Sequence, residues 1–420
     1  MTPFDIAAIL LGTVTLFAVL NHHFLRLPLA IGLVIIALVS SFAVIALDRI
    51  TPLTIDDTIR SMLVALDFEQ IVMTWMLPFL LFAGALRVDV TELANRKWTI
   101  LTMATIGVAI STLVIGLGFA HLAGVPLMVA LVFGAIATPT DPVAVLSILQ
   151  TSGAPKSLES KIVGESLFND GVAVVVFLGL TAATFGTTTH SAEAGIASTA
   201  VLFLQEVLGG VLLGLLGGYA GYRLVKTIDD FFIEFLLTLA LVFALGAGAH
   251  ALHVSGPLAV VVAGLFMGNH GARYGMSEET WRYVDKSWFV IDELLNVVLF
   301  TLIGLEIFAI DLEPATVAIA LLAIPLSLAG RFAAVALPIT ILSLGRDFTR
   351  GSVPALTWGG LKGGVSVALA LSLPESEYKP LLLAAVYAVV IFSIIVQGLT
   401  LGPLVRRVMR PKGPPLSEEP

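Results

Sequence analysis

Long apolar runs recur through the whole chain with short polar breaks between them, and this recurrence constrains the fold more than any other feature. Because a helix needs about 20 apolar residues to cross a bilayer, each run is a candidate span. Only 12% of the residues are charged, well below the share of about 25% that is typical of soluble domains. The chain has no cysteine, which excludes disulfides and thiolate chemistry. The sequence therefore predicts an all-α polytopic membrane protein.

These runs predict thirteen transmembrane spans. They cover residues 5–20, 29–47, 70–86, 99–121, 127–149, 159–184, 198–223, 233–250, 257–268, 289–309, 315–343, 352–372 and 381–405. If the N-terminus lies outside, 17 of the 22 basic residues fall in cytoplasmic loops or in the tail, and three fall in outside loops. Because cytoplasmic loops carry an excess of Lys and Arg, this split predicts an external N-terminus and a cytoplasmic C-terminus in the cell membrane.

Two of the predicted spans are interrupted near their centres. The fifth reads TPTDP at residues 138–142, and the twelfth reads GGLKGG at residues 359–364. Proline removes a backbone donor, and glycine weakens a helix by about 1 kcal/mol relative to alanine, so both helices should open there. Six spans, a connecting seventh and six more form two halves of inverted topology, with the breaks at matching positions. This arrangement is typical of the midplane site of a secondary transporter.

Polar and ionisable side chains accompany the first break. On predicted span six, Glu165, Ser166, Asn169 and Asp170 are spaced so that all four share one face of the helix. A carboxylate inside a membrane costs roughly 3 kcal/mol or more, and by default it marks an ion or proton path. Asp170 is the predicted carrier of both ions. Na⁺ and H⁺ would compete for its carboxylate, and alternating access would turn that competition into antiport.

The broken helix itself is expected to supply further oxygen ligands. Asp141, the backbone carbonyls of Thr138 and Thr140, and the Ser166 hydroxyl would complete a Na⁺ site with Asp170. Asp141 also has a competing interpretation, because aspartate is a preferred N-cap of a following helix.

Three further intramembrane residues have structural interpretations. Asn169 is expected to hold the broken segment through a helix–helix hydrogen bond, a common role of intramembrane amides. Arg331 lies inside predicted span eleven and cannot deprotonate, so it needs a carboxylate partner. An ion pair with Glu165 is the favoured interpretation, and ion binding by Glu165 is the alternative. Lys362 would offset the negative ends of exposed half-helices, with a snorkelling lysine as the alternative.

Other positions also allow more than one interpretation. Asp292 and Glu293 either line a cytoplasmic funnel or mark the polar end of predicted span ten. Glu306 is expected at the outer surface or in a funnel. The glycines clustered within residues 209–218 of predicted span seven indicate close helix packing, with a dimer face as one use of it.

Four motifs carry a family resemblance that covers predicted spans three to thirteen. They are ATPTDPVAVLSIL, GESLFNDGVAVVVF, IDELLNVVLFTLIGLEI and WGGLKGGVSVALALSLP. They resemble the motifs of the bacterial sodium/proton antiporters of the NhaP type, in the first family of monovalent cation:proton antiporters. The resemblance implies a homodimer in which a six-helix core, made of spans four to six and eleven to thirteen, moves against the other helices.

The resemblance also implies a division of the chain. Residues 1–98 and 185–310 would form the dimerisation and interface helices, with the linker to them. Residues 99–184 and 311–405 would form the ion-binding core, and residues 406–420 a cytoplasmic tail. Both broken helices would then belong to the core.

Site residues follow from the resemblance position by position. The family's Asn-Asp pair falls on Asn169 and Asp170, with Asp170 as the essential carrier of cation and proton. Thr140 and Asp141 match the Thr-Asp of the unwound helix. An Asn-Asp pair in place of two aspartates resembles the electroneutral branch of the family, which exchanges one cation per proton.

The supporting residues match as well, with one departure. Glu165 and Ser166 match the glutamate and serine one turn before the Asn-Asp pair. Arg331 matches the span-eleven arginine that pairs with that glutamate. Lys362 departs from the family, because bacterial members often have arginine there. Lysine keeps the charge but lacks the planar fork of arginine.

The prediction is therefore an electroneutral Na⁺/H⁺ antiporter that also accepts Li⁺, serves pH homeostasis and needs no cofactor beyond the ions it transports. It is a transporter and not an enzyme, and its partners are the lipid bilayer and a second copy of the chain, with no nucleic acid. Potassium/proton exchange on the same fold is the nearest alternative. A cation channel and a membrane-embedded hydrolase are alternatives from other classes, but no filter-like repeat, HExxH motif or Ser/His pair within the spans supports them.

Overall fold

The structure of the chain is a computed structural model. It describes residues 3–50, 68–95, 97–142, 145–146, 148–149, 156–186, 196–309, 313–343 and 351–408. The regular structure in these ranges is helical, with no strand. The predicted tail beyond residue 408 lies outside the described residues, as do several residues of the second half of predicted span five. The same holds for six of the counted basic residues, which are Arg60, Arg96, Arg346, Arg350, Arg410 and Lys412.

The helices carry the numbers of the predicted spans. They are α1 (Phe4–Leu25), α2 (Leu29–Asp48), α3 (Ile71–Leu86), α4 (Lys97–Ala123), α5 (Leu127–Ile136), α6 (Lys156–Phe185), α7 (Ile196–Val225), α8 (Phe231–Leu252), α9 (Gly256–Phe266), α10 (Glu278–Leu305), α11 (Pro314–Leu342), α12a (Ser352–Trp358), α12b (Gly364–Leu371) and α13 (Lys379–Val408). A short helix, Val90–Asn95, lies between α3 and α4.

Each predicted run coincides with one of these helices or with a pair of half-helices. Within the described part of the chain, nine helices are long and apolar enough to cross a membrane, and α3 and α5 are shorter apolar helices. The prediction of an all-α polytopic membrane protein is confirmed.

The start of α10 differs from the prediction. Span ten was placed from residue 289, but the helix begins eleven residues earlier, at Glu278. The Ser277 hydroxyl accepts a hydrogen bond from the Thr280 N–H at 3.3 Å and caps the helix. The first three turns are amphipathic, with Val284 and Trp288 buried and Arg282 exposed. These turns are therefore not part of an apolar run.

The helices form two groups, and the helices of each group pack against one another. In one, α4 lies against α5 and α11, α11 against α13, and α6 against α5. In the other, α9 lies against α3 and α7, and α10 against α2 and α3. Both broken segments belong to the first group.

The glycines of α7 pack inside the molecule, and the suggestion of a dimer face there was wrong. A Cβ added at Gly210 would lie 2.6 Å from the Ser255 carbonyl oxygen, and one at Gly218 would lie 3.2 Å from the Cα of Ala263. These neighbours belong to α9 or to the turn before it. The glycines therefore let α9 approach α7 within one chain and face no second copy.

Candidate ion-binding site

The two broken helices meet at their breaks. After α5 ends at Ile136, the backbone runs without helical structure from residue 138 to residue 141. Residues 360–363 interrupt span twelve in the same way. The Asp141 N–H donates a hydrogen bond to the Leu361 carbonyl at 2.7 Å, which joins the two segments. Each break leaves backbone N–H and C=O groups of its own span without helical partners. Where the two breaks cross, a free group of one segment can form a hydrogen bond with a free group of the other.

Lys362 neutralises the end of α5. Its side chain is buried, and its ammonium group donates to the Thr138 carbonyl at 2.8 Å. Its backbone N–H donates to the Ser393 hydroxyl of α13 at 2.8 Å. A positive charge is favoured at a helix C-terminus, where backbone carbonyls are unpaired. The geometry therefore agrees with the predicted electrostatic role and not with snorkelling.

The polar face of α6 contacts the first break, as its spacing predicted. The Asp170 carboxylate accepts a hydrogen bond from the Thr140 N–H at 3.3 Å. The Thr140 and Ser166 hydroxyls lie 2.9 Å apart. The Asn169 amide donates to the Thr140 hydroxyl and to the Thr138 carbonyl, both at 3.3 Å. Asn169 thus holds the broken segment, as expected.

A cavity of about 580 Å³ reaches this point. Asp141, Asp170 and the backbone segment through Thr140 form one wall of it. Asp170 is only 5% exposed, whereas Asp141 is half-buried. The site is thus a pair of carboxylates on the wall of this cavity, which is the ligand chemistry of a hard cation.

Two of the predicted Na⁺ ligands lie differently from the expectation. The Thr138 carbonyl already accepts hydrogen bonds from Lys362 and Asn169, so both of its lone pairs are engaged. Ser166 does not line the cavity, and its hydroxyl lies 2.9 Å from that of Thr140, which does. The structure brings Thr140, Asp141 and Asp170 to the cavity but not Ser166.

Glu165 and Arg331 form the expected ion pair. Arg331 Nη2 lies 2.9 Å from Glu165 Oε2, and Nη1 contacts the other carboxylate oxygen, so the pair is bidentate. Arg331 also donates to the Leu356 carbonyl of α12a at 3.0 Å. Both side chains are buried and neither lines the cavity. The pair ties α6, α11 and α12a together and does not present Glu165 to a transported ion.

The opposite wall of the cavity comes from α10, and sequence reasoning left it undecided. Asp292, Glu293 and Asn296 line the cavity. The Asn296 amide donates to the Asp292 carboxylate at 2.9 Å, and Arg87 lies 3.6 Å from that carboxylate. The funnel interpretation of Asp292 and Glu293 is therefore the one that fits. The spacing of four between Asp292 and Asn296 was the available signal, whereas nothing in the sequence pointed to Arg87.

Glu306 departs from its expected place. It is 6% exposed, so it does not lie at the surface, and it does not line the cavity described above. The chain leaves α10 in a 3₁₀ turn (Glu306–Ala309) that packs on α2, and this turn carries the side chain inward.

Comparison with known proteins agrees with this geometry. Residues 10–407 match the family described as sodium/hydrogen exchanger, transmembrane. The Na(+)/H(+) antiporter NhaP of Pseudomonas aeruginosa is 46% identical over 414 residues, which cover 96% of each chain. The Na(+)/H(+) antiporter NhaH of Halobacillus dabanensis is 34% identical over 404 residues, covering 96% of this chain and 97% of that one.

A solved structure shows the same fold. The sodium proton antiporter MjNhaP1 from Methanocaldococcus jannaschii, at pH 8, superposes with a TM-score of 0.76 at 18% identity, covering 97% of this chain and all of the other. Together with the family match over almost the whole length, this shows that the chain belongs to the sodium/hydrogen exchanger family.

Proposed function

We propose that the protein is a secondary active antiporter that exchanges Na⁺ for H⁺ across the cell membrane. The observation that carries the proposal is the position of Asp170, a buried carboxylate that lies beside the two crossing breaks and lines the cavity. The relatives of this chain are named Na(+)/H(+) antiporters, and these names favour Na⁺ over K⁺ as the transported cation.

Competition between the two ions follows from the cost of burying a charge. An ionised carboxylate without a partner is expensive at membrane depth. Either a proton or a Na⁺ ion removes that cost at Asp170, and each excludes the other. Asp141 supplies a second carboxylate for Na⁺, and Thr140 supplies a hydroxyl. The ammonium of Lys362 stays on the Thr138 carbonyl and limits the negative charge of the site.

The proposed stoichiometry is one Na⁺ for one H⁺. Asn169 stands where a second aspartate would add a titrating group, and its amide is used to hold the break. Its amide oxygen has no hydrogen-bond partner among the described residues. Because an amide carries no charge and does not titrate, Asn169 adds no second proton to the cycle.

Alternating access is assigned to relative motion of the two helix groups. The core is α4 to α6 with α11 to α13, and the remaining helices form the interface and dimerisation part. The cavity lies between these groups, since α3 and α10 form one wall and the breaks form the other. It reaches Arg87 and Glu159, on the side that the distribution of basic residues makes cytoplasmic. We therefore assign this conformation as inward-open, with the N-terminus outside.

Proton movement in everted membrane vesicles tests the proposal. Vesicles with an acid interior receive Na⁺, Li⁺ or K⁺ in turn, and a fluorescent dye reports the pH gradient. Na⁺ and Li⁺ should collapse the gradient in the wild type, because the cation displaces the proton from Asp170. Asp170→Asn should reduce the rate of gradient collapse to below a tenth of the wild-type rate. Protein yield should not change, since the amide has nearly the same shape as the carboxylate.

Two outcomes would contradict the proposal. Robust gradient collapse by Asp170→Asn would remove Asp170 from the transport path. If only K⁺ collapsed the gradient in the wild type, the transported cation would be K⁺ and not Na⁺.

A further inference from the structure

One exposed face of α7 is apolar from Leu208 to Tyr219 and basic at the C-terminal end of the helix. Leu208, Leu212 and Leu216 are 63%, 58% and 60% exposed, and Tyr219 follows at 50%. Arg223, also exposed, comes next. Residues spaced three or four apart share one face of a helix, so these five form a continuous stripe. The stripe ends at the predicted cytoplasmic end of α7.

A basic and aromatic cluster lies at that end. Lys226 donates to the Tyr222 hydroxyl at 3.5 Å, and the Tyr222 ring lies 4.7 Å from the ring of His270, beyond α9. The His270 ring lies 4.9 Å from that of Tyr274, and the Arg273 guanidinium lies 5.5 Å from the Tyr274 ring. This chain of contacts joins the basic end of α7 to the turn after α9.

The basic groups of the cluster form no ion pair with an acidic side chain in the part of the chain that the structure describes. Arg223 donates to the Tyr219 hydroxyl at 3.3 Å, which holds the guanidinium at the head of the stripe. Among the described residues, no carboxylate lies within ion-pair distance of Arg223, Lys226 or Arg273. The carboxylate of Asp230 nearby in sequence accepts bonds from the first turn of α8 instead. Three positive charges therefore face outward beside exposed tyrosines.

We propose that this cluster binds the phosphate of an anionic phospholipid from the cytoplasmic leaflet, with an acyl chain lying along the leucine stripe of α7. Basic pockets between the cytoplasmic ends of transmembrane helices suit such headgroups. Arginine binds phosphate through two parallel hydrogen bonds, and tyrosine is favoured at headgroup depth. The inference concerns a surface outside the transport site and does not depend on the proposed function.

A second copy of the chain fits this surface less well than a lipid. In a two-fold contact the same patch would face itself, so the two basic clusters would meet at the same depth. Like charges in that position repel. An anionic headgroup supplies the missing negative charge, whereas a second copy adds more positive charge.

The test compares phosphatidylglycerol with phosphatidylcholine as additives to the purified full chain in detergent. Thermal unfolding reports binding, because a ligand of the folded state raises the melting temperature. The test variant is Arg223→Gln with Lys226→Gln and Arg273→Gln. The matched control is Arg282→Gln with Lys286→Gln, which removes exposed basic groups of α10 outside the stripe.

Phosphatidylglycerol should raise the melting temperature of the wild type and of the control, and phosphatidylcholine should not. The triple variant should lose the response, with an affinity at least about fivefold lower for each basic group removed. An equal response of the triple variant would overturn the proposal, and so would equal stabilisation of the wild type by both lipids. A triple variant that changes the monomer–dimer ratio in phosphatidylcholine alone would assign the surface to a second copy instead.

Discussion

A buried, bidentate ion pair between Glu165 and Arg331 lies near the site. Both groups are removed from water, so each serves as the counter-charge of the other. Arg331 has a further acceptor in the Leu356 carbonyl, whereas no other hydrogen bond is described for the Glu165 carboxylate. The two residues should therefore respond unequally to mutation.

Arg331→Ala should destabilise the protein more than Glu165→Ala. Removing the arginine leaves a buried carboxylate and a backbone carbonyl unpaired, at a cost of about 3–5 kcal/mol. Removing the glutamate leaves the arginine its bond to Leu356. Thermal unfolding of both purified variants measures the difference. Equal melting temperatures close to that of the wild type would show that the pair does not stabilise the core.

Residue-level prediction succeeded where helical spacing alone decides which side chains meet. Thr140 and Asp170 came together because α6 presents one polar face to the break. The engagement of the Thr138 carbonyl by Lys362 was not foreseen, because it depends on the path of two non-helical segments. No periodicity encodes such a path. Ser166 was predicted to bind the cation but does not line the cavity. Its position relative to the cavity also depends on the path of the non-helical segment.

At the scale of elements, the crossing of the two breaks requires a residue without a side chain. A Cβ at Gly363 would lie 2.6 Å from Asp141 Oδ2 and 2.7 Å from Asp141 Cβ. Contacts of that length force one of the two segments to move. Glycine at this position therefore sets how closely α12b approaches the carboxylate that faces the cavity.

Gly363→Ala should weaken Na⁺ binding. Overpacking of this kind costs about 1–3 kcal/mol, and about 1.4 kcal/mol corresponds to a tenfold change in affinity. The apparent KM for Na⁺ in vesicles should therefore rise about tenfold. Gly246→Ala in α8 is the matched control, because an added Cβ there meets nothing within 4 Å. An unchanged KM in Gly363→Ala would mean that Asp141 does not help to bind the cation.

Element-level prediction was reliable for the existence of helices and weaker for their ends and faces. Apolar runs located each of the nine helices in the described part of the chain that are long and apolar enough to cross a membrane. Such helices must satisfy their backbone hydrogen bonds within a long apolar segment. The runs did not show that α10 starts at Glu278, since its first turns are amphipathic. They also could not show which helix the glycines of α7 face, because close packing requires glycine whether the neighbour lies in the same chain or in another.

For the whole molecule, one titrating carrier implies exchange without net charge movement. In the proposed cycle, Asp170 returns with one proton for each Na⁺ that it carries. The ammonium group of Lys362 keeps its hydrogen bond to the Thr138 carbonyl throughout this proposed cycle. The assembly of the two helix groups around this carrier could not be read from the sequence, because pairings such as α2 with α10 join segments about 260 residues apart.

A Na⁺ concentration jump on proteoliposomes adsorbed to a solid-supported membrane should therefore produce no transport current. Proton flux measured in the same preparation serves as the control for activity. A sustained current that requires Asp170 would indicate unequal exchange or a channel, and either result would contradict the one-to-one cycle.

The central claim is that Na⁺ and H⁺ compete for the carboxylate of Asp170, and the pH dependence of the apparent KM for Na⁺ tests it most directly. The KM should rise about tenfold for each pH unit on the acid side of the titration, because protonated carrier cannot bind Na⁺. The limiting rate at saturating Na⁺ should stay constant over the same range. A KM that is independent of pH while the limiting rate falls would place the proton and the cation on separate groups and would contradict the account.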